Sequence, residues 1–253
     1  MKLKDKVAIV TGSTRGIGQG IARVFSREGA CVAIVARSEE AGEKMADELG
    51  ARKNRAIFIK TDVSDSASVR NMIKTTVDTF GKLDILVNNA GYHISKNVEE
   101  TSEEEWEFII NTNLRSTFLC SKYALPHLRK TKGCIITISS MVGLVGQSNA
   151  GAYSATKGGQ IAMSKGMALD FAKDGVRVNV ICPGWIQTPL VDDWFGQQDD
   201  EKKARDYIFK AHPLGRIGTS EECGLAALYL ASSDAAFVTG ITLNIDGGIT
   251  LGY

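Results

Sequence analysis

Short apolar runs recur along this chain, each followed by a polar or glycine-rich turn and, in most cases, by apolar residues at helical spacing. Residues 7–10, 31–35, 56–60, 83–87, 134–138, 176–181 and 241–245 make seven such runs, which we read as strands. The first is followed by Ile17, Ile21, Val24 and Phe25, a spacing that predicts a helix, so the chain starts as strand, turn, helix, strand. A further helix is expected to start at Asp65 and to end where Gly81 follows Phe80. Residues 103–129 keep helical periodicity but are interrupted by Asn111-Thr112-Asn113, residues that tolerate irregular helix geometry. Pro126 predicts that this helix kinks or finishes there. Residues 151–174 form the longest helical pattern, and residues 221–231 form a shorter one. Residues 185–216 follow no single pattern. They carry Trp185, Trp194 and Phe195 away from the end of a strand, which marks them as a candidate substrate lid.

Length and charge narrow the classes of partner. The 253 residues suit one α/β domain, residues 1–253, with no internal repeat or linker. Thirty basic against 29 acidic residues give a net charge of +1 without runs of one sign, which favours a small-molecule substrate over nucleic acid or an anionic membrane. The absence of a secretory apolar stretch or a long membrane-spanning one, with five scattered cysteines and no C-x-x-C pair, suits a soluble protein of the reducing cytoplasm without a structural metal.

The chemistry gathers at the ends of the apolar runs. Gly12, Gly16 and Gly18, within Gly12-Ser13-Thr14-Arg15-Gly16-Ile17-Gly18, allow a tight turn and close approach of a pyrophosphate to a helix N-terminus. The second run ends in Ala36-Arg37, where a carboxylate would grip the ribose 2′-hydroxyl of NAD. No acid stands at that position. Arg37 and Arg15 are instead suited to clamp a 2′-phosphate, so NADP(H) is favoured over NAD(H). Asp62 caps a turn or faces the adenine, and Asn89, Ala90 and Gly91 hold a loop against the cofactor. Tyr153 and Lys157 lie four apart on one helix face. A phenol titrates near pH ~10, so proton transfer at neutral pH calls for a cation such as Lys157 beside it. Ser140 ends the fifth run, where strands of an open sheet deliver chemistry.

Taken together, Thr11-Gly12-x-x-x-Gly16-x-Gly18, Asn88-Asn89-Ala90-Gly91, Ser140, Tyr153-x-x-x-Lys157, Pro183-Gly184 and Asp246-Gly247-Gly248 resemble the short-chain dehydrogenase/reductase family over essentially the whole chain. Tyr153 lies 13 residues beyond Ser140, and Asn113 lies seven beyond Trp106, as that family's pattern asks. The resemblance implies a Rossmann-like, doubly wound, parallel seven-stranded sheet and a catalytic tetrad of Asn113, Ser140, Tyr153 and Lys157. By the same analogy Tyr153 is general acid or base, Ser140 hydrogen-bonds the substrate oxygen, Lys157 lowers the tyrosine pKa and holds the nicotinamide ribose, and Asn113 anchors a relay water. Val63, Pro183, Gly184, Ile186 and Thr188 join the cofactor site.

Within the family, residues 88–93, 141–146 and 188–190 are similar to sugar and hydroxysteroid dehydrogenases, above all the branch acting on L-fucose and hydroxysteroids. That branch is typically NAD-linked, and Ala36-Arg37 departs from its acidic residue. His93, Gln147, Trp185, Trp194 and Phe195 are the candidate pocket wall. Two rival readings remain: a ketoacyl-thioester reductase, for which no basic patch is evident, and a nucleotide-sensing regulator, which would not need both Tyr153 and Lys157. The family further implies a homotetramer. The small residues Ala152, Ala155, Gly158, Gly159, Ala162 and Gly166 permit close helix packing, and Tyr253 is expected near a partner subunit's site.

Overall fold

The five central apolar runs become strands because they are buried on both sides, so pairing with neighbouring strands is how their peptide groups find partners away from water; the two edge runs, at 56–60 and 242–245, are only partly covered. The computed structural model describes residues 1–50 and 55–252. In chain order the strands are β1 (Val7–Thr11), β2 (Cys31–Ala36), β3 (Ala56–Lys60), β4 (Ile85–Asn88), β5 (Cys134–Ile138), β6 (Arg177–Pro183), β7 (Ile186–Gln187), β8 (Gly218–Thr219) and β9 (Thr242–Ile245). Seven of them form one sheet in the order β3-β2-β1-β4-β5-β6-β9, with every neighbouring pair parallel. β7 and β8 pair only with each other. The expected seven-stranded parallel sheet is therefore present. Its strand order reverses between β1 and β4, and a crevice at the C-terminal ends of those strands is where such sheets bind ligands.

Helices cover both faces. On one side α1 (Gly16–Arg27) packs on α9 (Ser220–Ala231). Here Ile21, Phe25, Leu228 and Leu230 join Val10, Ile34 and Val87 of the sheet in one core. The two helices approach closely: a Cβ on Gly20 would lie 2.3 Å from the Ser220 carbonyl oxygen, so no larger residue fits. On the other side α3 (Ser66–Phe80), α5 (Ser116–Thr131) and α6 (Gly151–Phe171) bury Met72, Leu119, Leu128 and Ala168 against Ile9, Leu86 and Ile135. Each fully buried aliphatic side chain contributes roughly 1.5–3 kcal/mol.

The irregular stretch at Asn111-Thr112-Asn113 is a π-helical turn, Ile110–Arg115, inserted between α4 (Glu103–Ile109) and α5. Pro126 does not end α5, which continues to Thr131. Pro126 and the residue four before it, Lys122, both lie on the exposed face, where water can serve the carbonyl that loses its partner. The helix α2 (Glu39–Glu48) has no counterpart among the expected helices. Residues 185–216 are more ordered than their pattern suggests and hold α7 (Pro189–Gly196) and α8 (Glu201–Ala211). Among the described residues no helix is long and apolar enough to cross a membrane, and no cluster of His, Cys, Asp or Glu is placed to hold a metal ion.

Candidate active site

The glycine turn is built from backbone groups. Gly12 and Gly16 take φ of +64° and +55°, the left-handed region that glycine enters without strain. A Cβ on Gly18 would stand 2.3 Å from the Gly12 carbonyl oxygen. The turn is locked from below: Gly12 N–H donates to the Val35 carbonyl at 2.8 Å, and the buried Ser13 hydroxyl accepts the Val35 N–H at 2.9 Å. Asn89 braces it from the side, its amide donating to the carbonyls of Thr11 (2.8 Å) and Gly12 (3.2 Å). Thr11 Oγ1 in turn accepts the N–H groups of Asn89 (2.9 Å) and Ala90 (3.0 Å). Arg15 occupies the N-cap of α1 without capping it through its side chain. The first-turn N–H groups of α1 are thus left uncapped by any side chain among the described residues. This cradle fits the phosphates of a nicotinamide dinucleotide.

Around the cradle, Gly16 abuts Thr188, whose Cγ2 lies 3.3 Å from where a Cβ would be. Val63, Pro183 and Ile186 are buried. Gly184 sits against Asp246, with its N–H donating to the Ile245 carbonyl at 3.0 Å. Thr14 and Ile17 are half-buried, and Arg15 and Arg37 are exposed at the turn and at the end of β2. The Asp62 carboxylate accepts from the Ser64 hydroxyl (2.7 Å) and N–H (2.9 Å). Those bonds and the charge of nearby Arg37 hold it below the usual carboxylate range. Asp65 is the residue that caps α3.

The second cluster is made of side chains. β5 delivers Ser139 and Ser140 at its C-terminal end, and α6 lays Tyr153 and Lys157 beside them. Ser139 Oγ donates to the Lys157 carbonyl at 2.8 Å, and Lys157 Nζ donates to the Ile138 carbonyl at 2.9 Å, so helix and strand are laced together. The close contact needs Gly143, where a Cβ would lie 2.8 Å from the Lys157 carbonyl carbon. The Lys157 ammonium stands 5.5 Å from the centre of the Tyr153 ring. It is buried, and desolvation brings its pKa from 10.5 down to about 8. The Tyr153 phenol is pushed up to about 12 by burial, against the opposing hydrogen bond from Ser140. Of the ammonium's three donors, Ile138 takes one; among the described residues no hydrogen bond takes the others, and the ammonium lies beside Gly91.

Asn113 is fully buried in the π-turn. Its Oδ1 accepts the Tyr92 N–H at 2.8 Å, while Nδ2 donates to the Tyr92 carbonyl (2.9 Å) and to Thr156 Oγ1 (3.1 Å). The missing side chain of Gly91 brings this group and Lys157 to the same spot: a Cβ there would be 3.3 Å from Asn113 Oδ1 and 3.7 Å from Lys157 Nζ.

Of the expected pocket residues, His93 reaches the cluster, its ring edge-on to Tyr153 with centroids 4.7 Å apart. Burial lowers its pKa and favours the neutral imidazole. Gln147 is exposed on the loop before α6. Trp185 and Trp194 pack on each other at 4.7 Å and on the fully buried Phe195 at 6.0 and 5.3 Å, a small core separate from the sheet's. Tyr253 lies outside the described residues. Thr11, Ser13, Ser139, Thr156 and Gln160 form bonds that motif reading does not foresee. The only signal for the first three is a hydroxyl beside a strand end.

Fold and site define a class: an α/β oxidoreductase built around a nicotinamide dinucleotide. The family model described as enoyl-(acyl carrier protein) reductase matches residues 12–250, and the chain belongs to this short-chain dehydrogenase/reductase family, whose dehydrogenases act on CH–OH groups with NAD(P). It is 39% identical over 250 residues to the meso-2,3-butanediol dehydrogenase of Serratia marcescens, covering 99% of this chain and 96% of that protein. With the L-fucose dehydrogenase of Bos taurus it shares 45% identity over 249 residues, covering 98% and 90%. The oxidoreductase UcpA of Salmonella typhimurium is 40% identical over 254 residues, covering 99% and 96%.

Proposed function

We propose that this protein transfers a hydride between NADP(H) and a secondary alcohol or its carbonyl on a sugar, polyol or hydroxysteroid-like substrate. The observation that carries the reading is the buried Lys157 ammonium beside the Tyr153 ring, with Ser140 facing the phenol. When bound, the nicotinamide supplies or takes up the hydride. The chain's own residues handle the proton. In reduction Ser140 hydrogen-bonds the carbonyl oxygen and Tyr153 gives that oxygen its proton, which completes the alcohol; in oxidation Tyr153 takes the proton back. A phenol held protonated by burial stands ready at neutral pH to give up its proton in reduction. Alcohol oxidation gains as pH rises.

Lys157 acts in two ways: its charge offsets part of the cost of the phenolate, and its free donors hold the nucleotide ribose. The pair Arg15 and Arg37, with no carboxylate at Ala36, supports the choice of NADP(H). The names of the relatives, dehydrogenases of butanediol and of L-fucose, support a substrate with neighbouring hydroxyls. His93, Gln147, Trp185 and Trp194 are assigned to its pocket. We assign a homotetramer as well, on the exposed Phe108, Phe118, Leu169, Tyr229 and Phe237, an apolar set that a monomer would leave in water. A monomeric mass in light scattering at micromolar concentration would overturn that.

The deciding assay screens aldoses, vicinal diols, hydroxysteroids and β-ketoacyl thioesters with both nucleotides, recording kcat/KM. The expected result is turnover of a sugar or diol with at least a tenfold preference for NADP⁺. Preference for NAD⁺ would remove the arginine clamp, and turnover of thioesters alone would favour the ketoacyl reading. Nucleotide binding without any turnover would leave a sensor.

A further inference from the structure

The amide of Gln160 is fully inside the protein, at 1% exposure, on the face of α6 that also carries Tyr153, Thr156 and Lys157. Its Nε2 donates to the backbone carbonyl of Asn113 at 2.9 Å and to Thr117 Oγ1 at 2.8 Å. Thr117 Oγ1 itself donates to the same Asn113 carbonyl at 2.9 Å, which leaves its oxygen free to accept from Gln160. The surrounding groups fix the orientation of the amide, since the carbonyl accepts only from the –NH2 end. The other end, Gln160 Oε1, is buried without a partner among the described residues. A buried oxygen left without a partner costs stability that an apolar side chain of the same length would not. The amide therefore earns its place through the two bonds its nitrogen makes.

Those bonds close a clamp. Thr156 and Gln160, one turn apart on α6, hold Asn113 at its two ends: Thr156 Oγ1 accepts from the side-chain Nδ2 at 3.1 Å, and Gln160 grips the main-chain oxygen. Thr156 also donates to the Tyr153 carbonyl at 2.7 Å. A π-helical turn widens the helix and breaks the regular hydrogen-bond ladder, so it needs support from outside. We infer that Gln160 is a positioning residue for the reaction: by clamping the π-turn Ile110–Arg115 to α6 it fixes Asn113 beside Lys157. It touches neither substrate nor cofactor and acts through Asn113. The inference rests on the proton-transfer reading of the site given above.

The test uses the full chain carrying Gln160→Met, which keeps length and removes the donor, read by steady-state kinetics and by hydrogen exchange. The expected result is a fall in kcat of about tenfold with KM for the alcohol within about twofold, the split of an interaction that matters in the transition state. Exchange should quicken in residues 110–115 and remain unchanged in β1 and β5. An unchanged kcat, unchanged exchange at 110–115, or loosening that spreads through the sheet would each overturn the inference; the last would mean that Gln160 only fills space. If the unaltered protein turns over no alcohol, the proposed function fails while the exchange measurement still decides the clamp. Should Gln160→Met not fold, Gln160→Glu takes its place. Its protonated carboxyl can donate one of the two bonds and its ionised form neither, so kcat should lie nearer the parent's at acidic pH and drop away from it as pH rises. A pH profile superimposable on the parent's would overturn the inference.

Discussion

The cluster around Tyr153 and the segment from Trp185 to Arg216 lie on the same side of the sheet's C-terminal edge, yet they are held by different forces. The first is cross-braced by directional bonds: Ser139 to Lys157, Lys157 to Ile138, Asn113 to Tyr92 and Thr156, all between 2.8 and 3.1 Å. The second rests on a small aromatic core of its own, with Trp185 and Trp194 half-buried around Phe195 and the Arg205 guanidinium 4.3 Å from the Phe195 ring centre. Its polar ties to the rest sit near its two ends: the β7–β8 pairing with Gly218 N–H donating to the Trp185 carbonyl at 2.9 Å, Leu214 N–H to the Gly247 carbonyl at 3.2 Å, and Arg216 to the Glu222 carboxylate at 2.6 and 3.0 Å. Directional bonds fix atoms to fractions of an ångström; apolar packing tolerates repacking at constant volume. The side chains proposed for catalysis are thus locked, while the aromatic segment can change with little penalty to the fold.

Four changes would break or sharpen this contrast. Tyr153→Phe removes one oxygen from the locked cluster and should lower kcat/KM by about 10³ with melting temperature and nucleotide Kd nearly unchanged. Retained turnover would put the proton elsewhere. Lys157→Met should abolish activity but stabilise the nucleotide-free fold by roughly 2 kcal/mol at neutral pH, because a desolvated charge disappears. The sign follows from its pKa, lowered from 10.5 to about 8 by burial. Below about 8 the parent bears the full cost of the charge; between 8 and 10.5 the folded state has released the proton and the unfolded state has not. The stability gap should therefore be widest below pH 8 and close towards 10.5, as calorimetry across that range would reveal.

Arg37→Ala lies outside both regions and should cut the NADP⁺ over NAD⁺ preference roughly tenfold, measured as a ratio of kcat/KM values, the loss of one charge-assisted contact. The smallest effect is expected at Trp194→Ala: KM for the alcohol should rise about fivefold, the size of one aromatic contact, with kcat and nucleotide Kd within about twofold. A large fall in kcat there would show that the two regions are coupled and the contrast false.

The same contrast explains what could be read from the chain alone. All seven sheet strands are legible because they are continuous apolar runs, and the glycine turn and the Tyr153–Lys157 spacing are legible because each is local. The helix α2 was missed since its sequence, EEAGEKMADE, buries only Gly42, Met45 and Ala46, too few for a clear period. α7 and α8 did carry start signals, Pro189 in the first turn and Asp200 capping Lys203 N–H at 2.9 Å, but their short length and mixed faces hid them. Gln160 could not have been found that way. A glutamine in a helical pattern reads as a surface residue, and only the π-turn, 47 positions away at Asn113, gives it a partner.

The strand order has a consequence in time. β1 to β4, and with them the glycine turn, are complete by Asn88, and these four strands pair only among themselves until β5 is added. Domains generally fold as units. The strands under the nucleotide cradle are thus made early, but α1 still lacks α9, on which it packs, until residues 220–231 have followed. β9, whose residues 242–245 pair with β6, arrives last, and Gly184 meets Asp246 only then. The strands of the cradle are laid down first, and the contact between Gly184 and Asp246 is a late one.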